Sequence, residues 1–158
     1  MNTTIIEKTI LLSKKGMKEL KKSISQLEHD RQKALQSLRE TEKTLIREER
    51  LNRVEKLAQL ESIEAELADK RLIFASAKLL PAKRTRLQVA IGSVVDLIDR
   101  SGNLFRYTIV DSIEANPSDG RISILSPLGK SLVGRTVRDI IEWGNGSKIH
   151  QFQLVRIV

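Results

Sequence analysis

Between Met17 and Leu80 the chain contains neither glycine nor proline. No other feature restricts the fold as much. A stretch of that length without a helix breaker, rich in Leu, Ala, Glu, Lys, Arg and Gln, is helical material. As one helix it would run to about 96 Å at 1.5 Å per residue. All three prolines, and every glycine except Gly16, lie after it. Two architectures are therefore joined in one chain, and the change falls near residue 80.

Ser13 is suited to start the helix, because its hydroxyl can accept from an unpaired N–H of the first turn. Apolar residues follow at Leu20, Ile24, Leu27, Ala34, Leu38 and Leu45, with Arg31 and Thr41 filling positions between them. Steps of three and four place these on one face. A second series runs Leu57, Leu60, Ile63, Leu67, Phe74 and Ala77. Such a stripe needs a partner. Folding the second half back on the first supplies one within the chain as an antiparallel hairpin; a dimeric coiled coil supplies one from a second copy. The midpoint between Gly16 and Ala77 lies at Ile46–Arg47. The expected tip is therefore within Thr44–Arg50, at Leu45, Ile46, Arg47, Glu48, Glu49 and Arg50, although no glycine or proline marks a turn there.

Leu80-Pro81-Ala82-Lys83-Arg84-Thr85 reads as a linker, since proline ends a helix and restricts the residue before it. Short strand-like runs follow at 94–98, 105–110, 121–125, 137–143 and 149–157, separated by turn signals at Arg100-Ser101-Gly102-Asn103, Asn116-Pro117-Ser118-Asp119-Gly120 and Gly144-Asn145-Gly146. Ser126-Pro127 is placed to open a short helix ending near Gly134. The expected class is α+β: an antiparallel helical hairpin over 1–80, a linker over 81–86 and a small antiparallel β domain over 87–158.

The net charge of +8 draws such a chain to nucleic acid or to an acidic partner surface, but no run of Lys and Arg is dense enough to form a nucleic-acid tail. With no cysteine, disulfides and thiolate metal sites are excluded. His29 and His150 are too isolated to build a zinc site. No nucleophile–base pair and no phosphate-binding glycine loop is visible, so an enzyme in its own right is not expected. No apolar stretch approaches the ~20 residues of a membrane span, and the first residues lack the basic start and small-residue cleavage site of a signal peptide. The expectation is a cytoplasmic, monomeric protein with no membrane partner.

Four segments carry a likeness to a known family. They are Leu12-Ser13-x-x-Gly16-x-x-x-Leu20-x-x-x-Ile24-x-x-Leu27, Ala77-Lys78-Leu79-Leu80, Ile91-Gly92-Ser93-Val94-Val95 and, most specific, Ile124-Leu125-Ser126-Pro127-Leu128-Gly129-Lys130-Ser131-Leu132-Val133-Gly134-Arg135. Together they resemble the bacterial transcription elongation (transcript-cleavage) factors of the GreA/GreB family over nearly the full chain. The resemblance implies an FKBP-like β domain that docks at the rim of the RNA polymerase secondary channel through Ser126, Pro127 and Leu128. It implies a hairpin entering that channel, with Arg31, Lys33 and Arg39 on the face that family members turn toward nascent RNA. Leu125 stands where some members carry an acidic residue. The residues themselves allow a plainer reading of the same corner, with Ser126 as helix cap and Pro127 at the first helical position.

At the family's tip a motif resembling Gly-Asp-Leu-x-Glu-Asn-Ala-Glu-Tyr helps hold Mg²⁺ in the polymerase active site, where a hard cation on carboxylates activates water against RNA. Residues Glu40 to Leu51 contain no Gly-Asp, no Glu-Asn-Ala and no Tyr. Arg47 and Arg50 flank Glu48 and Glu49, a pattern that makes solvated, salt-bridged helix surface. The expected function is thus a polymerase-binding elongation regulator that does not stimulate cleavage and has no metal or cofactor of its own. The alternatives are an active cleavage factor using Glu48 and Glu49 as improvised ligands of the polymerase's Mg²⁺, and a coiled-coil adaptor.

Overall fold

A computed structural model describes residues 9–41, 47–83 and 85–158, with the backbone alone at 47–49 and 145. The chain separates into two compact units. One comprises Lys15–Ala77; the other comprises Ile10–Lys14 and Lys78–Val158.

The first unit is built from α1 (Lys14–Thr41) and α2 (Arg47–Ser76). Their direction follows from the bonds between them. Arg71 donates to Glu28 at 2.7 Å, Arg31 to Glu64 at 3.0 Å and Lys56 to the Thr41 hydroxyl at 2.8 Å. Later residues of one helix meet earlier residues of the other, so the pair is antiparallel and the seam is closed within the chain. Leu20, Leu38 and Leu67 are buried in this unit, and Ile24, Leu27, Ala34, Leu60 and Ile63 are half-buried. Three expected stripe positions fall elsewhere: Leu57 and Phe74 are 42% and 39% exposed, and Ala77 lies in a strand just beyond the end of α2. From Leu67 the inner face steps by three to Lys70 and Ile73, both half-buried. Phe74, one residue on, is rotated by about 100° and instead lies under the Lys21 ammonium, 5.7 Å from its ring centre.

In the second unit, β1 (Ile10–Leu12) and β2 (Ala77–Leu79) form a two-stranded sheet. The Leu80 N–H extends the pairing to the Leu12 carbonyl at 2.9 Å. The main sheet has the order β5-β4-β3-β7-β6, from β3 (Val94–Asp99), β4 (Leu104–Val110), β5 (Arg121–Ser123), β6 (Ile140–Asn145) and β7 (Lys148–Ile157). It is antiparallel at β4–β3, β3–β7 and β7–β6. The β4–β5 edge departs from the expected antiparallel pattern and is parallel, with Thr108 opposite Arg121. Parallel neighbours need a crossover rather than a tight hairpin. Two 3₁₀ turns, Ser112–Glu114 and Pro117–Asp119, supply it.

Alternation sends Val95, Leu97, Ile109, Ile141, Phe152 and Leu154 into one core, which the short helix α3 (Pro127–Leu132) covers with Leu128 and Leu132. A bulge in β7 breaks the alternation: the register shifts between Asp96 and Leu97, whose partners are Arg156 and Leu154. The extra residue flips the side-chain parity. Leu154 and Ile157, an odd number apart, therefore both point inward, at 0% and 6% exposure.

Candidate functional site

The corner between β5 and α3 is shaped by three residues. Ser126 is the N-cap of α3: its hydroxyl donates to the Ser123 carbonyl at 2.7 Å and accepts from the Gly129 N–H at 3.0 Å. Pro127 occupies the first turn, where no N–H is needed. Gly129 lets the helix sit directly on the strand end, since a Cβ there would lie 2.0 Å from the Ser123 carbonyl oxygen. Seated this way, α3 turns Leu128 into the core at 6% exposure. Leu128, expected on the docking surface, is thus a core residue. The surface of the corner is Pro127, which is exposed, and Leu125, which is 51% exposed. Ser126 is half-buried, with its hydroxyl bonded on both sides.

Aromatic rings form a row at one end of the sheet. Tyr107 stacks on Phe105 (6.4 Å), Phe105 meets Phe152 edge-on (5.6 Å), Phe152 neighbours His150 (6.5 Å), and His150 stacks on Trp143 (5.2 Å). Sequence reasoning assigned these residues no role. The available signal was scarcity: the chain has only five Phe, Trp and Tyr residues, and four of them are in this row.

Two further groups went unpredicted. Asp96 is buried and held by both Nε and Nη2 of Arg106, at 2.7 and 3.0 Å. The hydrogen bonds from Arg106 hold its carboxyl below the usual range against the opposing effect of burial, with added attraction from Arg106 and Arg156. Glu114, 7% exposed, accepts from the Ser13 N–H at 2.9 Å and from the Ser13 hydroxyl. That carboxylate fixes the residue immediately before α1.

On α1, Arg31 is engaged by Glu64. Lys33 and Arg39 are exposed and make no ion pair among the described residues. The tip residues Leu45 and Ile46 lie outside the described residues. Arg47, Glu48 and Glu49 form the start of α2, and Arg50 is exposed. Among the described residues no group of three His, Cys, Asp or Glu is placed to hold a metal, and no helix is long and apolar enough to cross a membrane.

Residues 84–158 match the family model "Transcription elongation factor, GreA/GreB, C-term". The chain is 33% identical over 133 residues to the transcription elongation factor GreA of Mycoplasma genitalium, an alignment covering 81% of this chain and 83% of that protein. This chain belongs to the GreA/GreB family. It is also 35% identical over 104 residues to GreA of Mycoplasma pneumoniae, covering 64% of this chain and 65% of that relative. Among solved structures it is similar to GreA factor homolog 1 of Thermus thermophilus, at 25% identity, 96% and 99% coverage and a TM-score of 0.44. The GreA/GreB model spans the whole of the main sheet, α3 and the Ser126-Pro127 corner.

Proposed function

We propose that this chain is a transcription elongation regulator that binds bacterial RNA polymerase through the corner at Leu125, Ser126 and Pro127. Its helical hairpin enters the secondary channel, and it does not stimulate transcript cleavage. The observation that carries the last point is the sequence that follows α1 and runs into the first turn of α2, Glu42-Lys43-Thr44-Leu45-Ile46-Arg47-Glu48-Glu49-Arg50. It offers no aspartate, and its one adjacent pair of carboxylates is bracketed by two arginines. Guanidinium groups beside carboxylates oppose the gathering of a divalent cation, so these residues do not fit the task of holding the polymerase's Mg²⁺.

Docking is supported by family membership and by the geometry of the corner. Ser126 and Gly129 make a rigid seat, and Pro127 and Leu125 are what that seat displays. Contact with nascent RNA falls to Lys33 and Arg39, because Arg31 is already neutralised by Glu64. Such contacts weaken with added salt.

Two rival readings remain open to test: a working cleavage factor that uses Glu48 and Glu49, and a coiled-coil adaptor unrelated to the polymerase. Binding to the cognate core polymerase, measured in competition with a cleavage-active GreA, separates the adaptor from the other two. The expected result is mutual displacement, with Pro127→Ala weakening binding several-fold while the fold stays intact. Simultaneous binding of both proteins, or no binding at all, would remove the secondary-channel reading.

A further inference from the structure

We propose that an exposed shelf of the β unit, built from residues 83 and 85–88 and the turn at 136–139, holds the phosphate backbone of a nucleic acid. This goes beyond the docking reading above and does not depend on it. Among the described residues six glycines and one other residue, Arg138, have a positive φ. Arg138 stands at 81°. It is the third residue of a four-residue turn, closed by the Asp139 N–H on the Thr136 carbonyl at 3.1 Å. A positive φ at that position favours glycine, because a Cβ there crowds the backbone. The turn is nevertheless held firmly. The Asp139 carboxylate accepts from the Thr136 N–H and hydroxyl at 2.9 and 3.1 Å, and the Arg138 N–H donates to the Leu154 carbonyl at 2.7 Å. None of these bonds uses the Arg138 side chain, which is exposed and makes no hydrogen bond or ion pair among the described residues. A side chain carried against a backbone cost, with no partner inside the chain, points to a partner outside it.

The surroundings of the turn select the partner. Its first two residues, Thr136 and Val137, line a cleft of about 480 Å³ together with Thr85, Arg86, Leu87 and Gln88. Val89 ties the two segments to each other, with its N–H on the Arg135 carbonyl at 2.9 Å and its carbonyl on the Gly134 N–H at 2.8 Å. Thr85 also lines a second cleft, of about 220 Å³, where Lys83 and Ser93 add polar groups. Neither cleft is lined by a carboxylate. Lys83 and Arg86 are exposed and, like Arg138, make no ion pair among the described residues. Arg135 spends its Nε on the Ser131 carbonyl, at 3.2 Å. The one carboxylate of the turn, Asp139, is already engaged by Thr136. Cations at 83, 86 and 138, interspersed with hydroxyl and amide groups along two adjoining clefts, suit a repeating anion. A lone carboxylate on a protein would answer only one of them, whereas successive phosphates answer several.

The test is fluorescence anisotropy of a dye-labelled single-stranded RNA and of a dye-labelled DNA duplex, each titrated with the full chain. The parent is expected to bind at least one of them, with an affinity that falls as salt rises; which probe binds tells RNA from DNA. The double variant Arg86→Glu/Arg138→Glu is expected to bind about tenfold more weakly and with a flatter salt dependence. Arg138→Lys should stay near the parent value. Arg138→Gly separates contact from architecture: glycine accepts the left-handed backbone, so the melting temperature should hold while binding weakens several-fold. A lowered melting temperature in Arg138→Gly with binding unchanged would make the arginine structural and overturn the proposal. So would parent-level affinity in the double variant; loss of binding in Lys33→Glu/Arg39→Glu would then leave nucleic-acid contact to the hairpin. Absence of binding by the parent to both probes would also overturn it, and a loss of polymerase affinity in the double variant would then assign the shelf to an acidic protein surface.

Discussion

The two units of this protein are held together by different means. In the β unit, Leu97, Ile109, Leu132, Ile141 and Leu154 are all completely buried and belong to one core. In the hairpin the buried side chains are Leu20, Leu38 and Leu67, while Leu51, Val54 and Leu72 of α2 are 64–71% exposed. A two-helix seam removes one stripe of each helix from water; a sheet covered by a helix removes a whole face. The hairpin supplements its seam with the exposed ion pairs Arg71–Glu28 and Arg31–Glu64, which contribute little individually. The unit proposed to dock is therefore the rigid one, and the unit proposed to enter the channel is the more easily opened one.

That contrast is open to direct attack, because each unit has its own probe. The single tryptophan, Trp143, reports on the β unit, and far-ultraviolet circular dichroism reports chiefly on the two long helices. The largest effect is expected from Leu154→Ala, about 3–4 kcal/mol in denaturant titrations read by Trp143 fluorescence. The matching hairpin truncation, Leu67→Ala, should cost about 2 kcal/mol in the helical signal, because its surroundings are more open. Equal losses in the two would erase the distinction. Gly129→Ala comes next, at about 2–3 kcal/mol, since the added methyl runs into the Ser123 backbone and crowds the capping Ser126 hydroxyl.

A smaller effect is expected from acid. The folded-state pKa of Asp96 lies below its unfolded value. The stability it contributes is therefore full above the ordinary carboxylate range, about pH 4, and is lost as pH falls through the lowered value. Asp96→Asn should flatten the loss of β-unit stability below about pH 4, as measured by thermal melts across pH; an unchanged slope would mean that other carboxylates govern acid unfolding. The smallest effect belongs to Arg71→Ala, under about 1 kcal/mol, and it should shrink further in high salt.

Much of this was legible along the chain. The stripe of α1, from Leu20 through Leu38, follows the helical period and is inward or half-buried at each apolar position described. The α3 start was readable from Ser126-Pro127 because a cap bond spans only three residues. What escaped depends on partners distant in sequence. Glu114 meets Ser13 across 101 residues, and nothing local to either announces it. The β7 bulge exists only relative to β3. The parallel β4–β5 edge depends on how two 3₁₀ turns redirect the chain. As a linear motif the corner offers Leu128 for docking along with Ser126 and Pro127. Its neighbour Gly129 decides otherwise, by pressing α3 onto Ser123 so that Leu128 faces the core. Of the candidate site, the corner was legible, but which of its residues are displayed emerges only when α3 is seated on the end of β5.

The central claim is that this family member occupies the polymerase without promoting hydrolysis of RNA. Its most direct test is transcript cleavage in stalled, backtracked elongation complexes of the cognate polymerase, with the protein added alone and then alongside a cleavage-active GreA. The account predicts no shortening by the protein alone and suppression of the shortening that GreA produces. Transcript shortening by the protein alone, abolished by Glu48→Gln or Glu49→Gln, would contradict it and assign those two carboxylates the metal-holding role.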